Sequence, residues 1–105
     1  MPDARLHRHD DNLWRVEGDL DLDAVPNMLE ESAQLWQSGR ACVVDFAHVG
    51  RIDSSSLALL LEWQRQARQR EVSVRYRNLP HQLLAIAQVC GVQGLLPLET
   101  ATGAG

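Results

Sequence analysis

Three consecutive hydroxyls stand beside one carboxylate in Asp53-Ser54-Ser55-Ser56, directly before the leucine-rich run Leu57 to Leu61. Hydroxyls so gathered serve either as nucleophiles or as hydrogen-bonding groups. A serine nucleophile needs an adjacent base to activate it. No GxSxG elbow surrounds these serines, and no His and carboxylate pair stands at an identifiable spacing, so nucleophilic catalysis is not expected. The other chemistry suits the tetrad better. Asp53 or Ser54 is of the type that caps a helix, and the first turn of a helix leaves N–H groups free. Capping and recognition coexist readily at such a spot. An unmodified Ser54 exchanges a hydrogen bond with a partner, whereas a phosphate there adds about -2 charges beside a favourable helix dipole.

The remaining reactive side chains make weaker constellations. His7 and His9 share one side of a strand-like stretch and are followed by Asp10 and Asp11, but a metal normally needs a third or fourth fixed ligand at a recognisable spacing. His81 sits in the first turn of a helical pattern and reads as solvated. No GxxxxGK loop occurs, so any ATP chemistry belongs to a partner. Cys42 and Cys90 lack CxxC spacing and read as buried thiols in a reducing compartment. No cofactor and no metal are expected.

The elements that hold the tetrad follow from periodicity. Arg5 to His9 and Leu13 to Glu17 read as strands around the turn-forming Asp10-Asp11-Asn12, with Gly18 breaking the second. Asp23 is a plausible cap and Pro26 fits a first turn. Val25, Met28, Leu29, Ala33 and Trp36 recur at helical spacing until Gly39. Ala41 to Phe46 is nearly continuous apolar sequence, as in a central strand covered on both faces. A loop through His48 and Gly50 leads into the second helix. Val72, Val74 and Tyr76 alternate with polar residues in a last strand. A third helix then carries Leu83, Ile86, Ala87 and Cys90 inward and ends at Gly91. The order strand, strand, helix, strand, helix, strand, helix predicts an α/β fold.

With 105 residues, 45% of them apolar, the chain has room for one domain, with a core over roughly residues 5–97 and a flexible tail at 98–105. A net charge of -4 argues against nucleic acid, which draws on clustered Lys and Arg. Met1 to Asp11 is polar, unlike a signal peptide, and no apolar run approaches the roughly 20 residues that cross a bilayer. A cytoplasmic protein that reaches a membrane only through partners is expected.

The segment Val43-Val44-Asp45-Phe46, a short loop and Arg51-Ile52-Asp53-Ser54-Ser55-Ser56-Leu57-Ala58-Leu59-Leu60-Leu61 resembles the signature of STAS domains, named for sulfate transporters and anti-sigma-factor antagonists. Gly18-Asp19-Leu20-Asp21 resembles the acidic turn before that family's first helix. Leu84 to Val92 and Leu95-Leu96-Pro97 resemble the end of the small STAS subunit of Mla phospholipid ABC transporters. The resemblance implies a small mixed β-sheet with about three helices in one STAS-like domain. It also implies a non-catalytic subunit that binds the transporter's ATPase, within a complex with a membrane permease, and supports its assembly and activity in outer-membrane lipid asymmetry. In the antagonist branch the residue matching Ser54 is phosphorylated, so the alternative is an anti-sigma-factor antagonist switched at Ser54. At Ser56 the chain departs from the glycine of many relatives.

On the second helix Leu57, Leu60, Leu61 and Ala67 share a face, which places Leu59 toward the polar side as an exposed apolar contact. Trp63 lies at the border and fits either the core or a partner. The expected partner-binding set is therefore Asp53, Ser54, Ser55, Ser56, Leu59 and Trp63, with His48 and Arg51 at the rim.

Overall fold

The Asp10-Asp11-Asn12 turn closes a hairpin: the N–H groups of His9 and Asp10 both donate to the Leu13 carbonyl, at 2.9 and 3.0 Å. In the computed structural model, which describes residues 2–37 and 41–99, this hairpin joins β1 (Arg5–Arg8) to β2 (Leu13–Leu20). The chain continues through a 3-10 turn (Leu22–Ala24), α1 (Val25–Glu31), α2 (Ala33–Gln37), β3 (Ala41–Ile52), α3 (Ser54–Gln69), β4 (Ser73–Arg77) and α4 (His81–Val89). Sheet order is β1-β2-β3-β4, with β1 antiparallel to β2 and the other neighbours parallel. Each parallel connection carries helix and advances one strand in the same direction. Right-handed crossovers of that kind put the helices on one face of the sheet.

Burial follows this layering. Trp14, Val16, Cys42, Val44, Phe46, Val74 and Tyr76 are buried against the helices, while Glu17, Ala41, Ser73 and Arg75 on the opposite face are exposed. The apolar run Ala41 to Phe46 is thus covered fully on one face and not on two. At the centre, Phe46 meets Tyr76 edge-on at 5.7 Å between ring centroids, with Trp63 at 6.4 Å from both. The Tyr76 hydroxyl donates to the Leu60 carbonyl at 2.6 Å, which satisfies a polar group in an apolar site.

Several boundaries depart from the sequence reading. Gly18 does not end β2; it takes φ of 111° at an irregularity in the β2–β3 pairing, and the strand runs on to Leu20. A Cβ there would lie 2.7 Å from the Pro2 carbonyl oxygen, because the N-terminal segment crosses at this point. The expected loop through His48 and Gly50 is strand, paired with β2 through Gly18↔Val49 and Leu20↔Ile52. The first helix is divided at buried Ser32, whose hydroxyl donates to the Leu29 carbonyl, and Ala24 occupies the N-cap in place of Asp23. Gly39, its expected end, lies outside the described residues.

Each sheet edge is covered at one point. Glu31 accepts from the Leu6 N–H at 2.9 Å and from Arg5 Nε at 2.8 Å along β1. On β4, Tyr76 donates its N–H to the Pro97 carbonyl and accepts from the Glu99 N–H. Such coverage shortens the open row of backbone groups that an edge offers another strand. The segment expected to be a loose tail is therefore paired at Leu98 and Glu99, and residues 100–105 lie outside the described residues. Cys42 is buried as expected, but Cys90 is exposed, since it caps α4 at its solvent end.

Candidate functional site at the entrance to α3

β2 and β3 are parallel neighbours, so their C-terminal ends and the elements that follow meet at one edge of the sheet. Three side chains tie them together there. Asp19, buried at the end of β2, accepts from the Arg51 N–H at 2.7 Å. Asp53, in extended backbone at the N-cap of α3, accepts from the Ser55 N–H through Oδ1 at 2.8 Å and from the Leu22 N–H through Oδ2 at 3.2 Å. Ser56 completes the capping box: its Oγ accepts from the Asp53 N–H at 3.2 Å and donates to the Leu20 carbonyl. Farther back on β3, Asp45 accepts at Oδ1 from the Ala47 N–H at 2.9 Å and the Asn78 side-chain amide at 3.1 Å, which joins β3 to the end of β4 and not to the site.

The polar capacity of Asp53 and Ser56 is thus spent within the molecule, where capping is worth about 1 kcal/mol. Ser54 is the exposed hydroxyl of the three, and among the described residues its side chain makes no hydrogen bond. Ser55 is half-buried. Down the same stripe of α3 follow exposed Ala58, half-buried Leu61 and exposed Arg65, which is paired with Glu62 at 2.7 Å. Hydrogen bonds from Arg65 and Gln66 hold the Glu62 carboxyl down at about 2. Gln66 also accepts from Trp36 Nε1 at 2.9 Å, which ties α2 to the flank of α3.

A family model described as Mlab, STAS domain, matches residues 5–97. The chain belongs to the STAS family, and within it to the kind described as MlaB. No curated protein matches it. Among solved structures, the anti-sigma factor antagonist SpoIIAA in its unphosphorylated form superposes with a TM-score of 0.69 at 17% identity, covering 93% of this chain and 89% of that one. The Bacillus cell-fate determinant SpoIIAA in its phosphorylated form gives 0.66 at 17% identity, with 93% and 92% covered. An anti-sigma factor antagonist from Mycobacterium paratuberculosis gives 0.68 at 20% identity, with 94% and 86% covered. These likenesses establish a mixed α/β STAS fold with three helical regions, the α1–α2 pair counting as one.

The STAS fold sorts the expected site residues into two groups. Arg51 and Ser54 are exposed and Asp53 and Ser55 half-buried at the helix entrance, while His48, also exposed, lies farther back on β3 opposite Glu17 and away from it. Leu59, Trp63 and Ser56 are not available to a partner. Leu59 is 1% exposed and Trp63 fully buried, because the inner stripe of α3 runs through Ser56, Leu60, Trp63 and Ala67 with Leu57 and Leu59 on its flanks. The expected face was turned too far toward Leu61. The exposed apolar residue overlooked at this entrance is Leu22, 66% exposed, whose backbone is held to the cap of α3 by Asp53. Its signal in the sequence was the Asp21-Leu22-Asp23 triplet, a leucine between two carboxylates where a core position would be shielded from charge.

Proposed function

We propose that this chain is the non-catalytic STAS subunit of an Mla-type phospholipid ABC transporter. In this reading it sits in the cytoplasm against the transporter's ATPase, peripheral to the inner membrane, and supports assembly and activity in outer-membrane lipid asymmetry. Among the described residues no helix is long and apolar enough to cross a membrane, so contact with the permease would run through the assembly. The observation that carries the reading is the division of labour in the Asp53 to Ser56 tetrad: two residues lock the helix start, and Ser54 is left facing outward on a rigid mount. The MlaB description of the family model supports a transporter ATPase as the partner.

The test is Ser54→Arg. A long cationic side chain at an exposed position leaves the fold intact but fills the space a partner must occupy. Binding of the purified Mla-type ATPase from the same genome, and its ATP turnover with and without this chain, are expected to fall together. Unchanged binding and turnover would remove the docking reading.

The likeness to anti-sigma factor antagonists, together with the accessible Ser54, favours a second reading in which a kinase modifies Ser54 and releases a partner. Intact mass of the chain from cells under several growth conditions decides this: absence of a phosphate on Ser54 throughout argues for the transporter role alone.

A further inference from the structure

Taking the docking reading as its basis, we infer that the partner surface fitted to this entrance is a basic one built around an apolar pocket, with Leu22 as the inserted anchor. Leu22 is a large apolar side chain left mostly in water, yet its position is not loose. It opens the 3-10 turn Leu22–Ala24, and its N–H is tethered to the Asp53 carboxylate at the cap of α3. A pre-positioned apolar side chain loses little entropy on burial, which is what an anchor requires.

The charges around it select the partner. Four carboxylates crowd this end of the sheet. Asp19 and Asp53 are answered by backbone N–H groups of Arg51, Ser55 and Leu22. Asp21 and Asp23, which flank Leu22 in sequence, are not: Asp23 is exposed, and Asp21 has one oxygen, Oδ1, covered and without a hydrogen-bond donor among the described residues. A partner burying Leu22 also dries its neighbours, and a carboxylate taken from water without a counter-charge is costly. Guanidinium or ammonium groups rimming the pocket meet that need. An acidic or purely apolar partner surface does not. Arg51, at the end of β3, is exposed and without an ion pair among the described residues and is held by its N–H to Asp19, so one partner acid beside it completes the complementarity.

The experiment measures affinity of the purified Mla-type ATPase for the wild-type chain, Leu22→Ala, Leu22→Met, Asp23→Lys and Ser54→Arg, with thermal melts confirming that each is folded. Leu22→Ala is expected to weaken binding at least about tenfold, as an anchor residue does. Leu22→Met is expected to restore most of the affinity. Asp23→Lys is expected to weaken binding and flatten the salt dependence, and the wild-type affinity to fall between about 50 and about 500 mM NaCl as the charges are screened. Ser54→Arg abolishing binding while Leu22→Ala and Asp23→Lys stay within about twofold of wild type would overturn the anchor and leave the docking face standing. A wild-type chain with no affinity for the ATPase overturns both.

Discussion

Leu59→Ala separates a core role from a contact role at the position where sequence and structure disagree most. The side chain is 1% exposed on the inner side of α3. Truncating a buried leucine costs about 2–5 kcal/mol, through lost transfer energy and the cavity left behind. A domain of this size has about 5–15 kcal/mol of stability in total. At about 4–8 °C per kcal/mol, a mid-range loss of about 3 kcal/mol lowers the melting midpoint by roughly 12–24 °C. Leu59→Asp goes further. It places a carboxyl among apolar side chains with no donor prepared for it, a several-kcal/mol addition that leaves little folded protein at room temperature. Circular dichroism melts and urea titrations read these losses, and ATPase binding by the folded fraction of Leu59→Ala should match wild type. A variant melting within about 2 °C of wild type while binding poorly is the pattern of an exposed contact, where substitutions stay within about 0.5 kcal/mol; that pattern would refute the placement of Leu59 and with it the phase of the helix.

Two further outcomes follow from the buried polar groups. Ser56→Ala removes a donor from the Leu20 carbonyl and an acceptor from the Asp53 N–H, at a cost of about 1–3 kcal/mol, and amide exchange at Leu22, Asp53 and Ser55 should quicken; unaltered exchange would show that the entrance is held by other means. Burial pushes the Cys42 thiol up to about 11, while Cys90 is exposed, so iodoacetamide at about pH 8 should add one label to the native chain and two after unfolding, since the thiolate is the reacting form. The raised Cys42 value also sets a sign: its contribution to stability is fully present below about 9 and is lost as pH rises toward about 11, because only the unfolded chain gives up the proton in that window. Rapid double labelling of folded protein would contradict the burial of Cys42.

The strand and helix order was legible because each segment carries its own period: alternation in Ser73–Arg77, apolar spacing in His81–Val89, a turn at Asp10 to Asn12. What periodicity could not supply was tertiary. Gly18 looks like a strand breaker until the crossing Pro2 to Ala4 segment shows why a residue without Cβ belongs inside β2. The stretch from Ala47 to Ile52 looks like a loop, with glycine, histidine and arginine in it, but the far end of β2 pairs with it and draws it into the sheet. Asp53 as cap was readable locally. Its second bond, to Leu22, joins residues far apart in sequence and left no local trace.

The same geometry explains why three adjacent serines have different work. Successive helical residues turn through about 100°, so residues two apart point nearly opposite ways. Ser56 falls in line with Leu60, Trp63 and Ala67 and must face the core, where its hydroxyl is tolerable only because Leu20 and Asp53 use both its donor and its acceptor capacity. Ser54 falls in line with Ala58, Leu61 and Arg65 and must face out. A glycine at position 56 would pack there without a hydroxyl and leave the link from α3 to the segment after β2 to the Asp53–Leu22 bond. The serine adds a tether from α3, which bears Ser54, to the end of β2, two residues before Leu22. Leu22 and Ser54 are thereby held near a fixed separation, so a partner shaped to both, as proposed above, would bind without either element having to reorder.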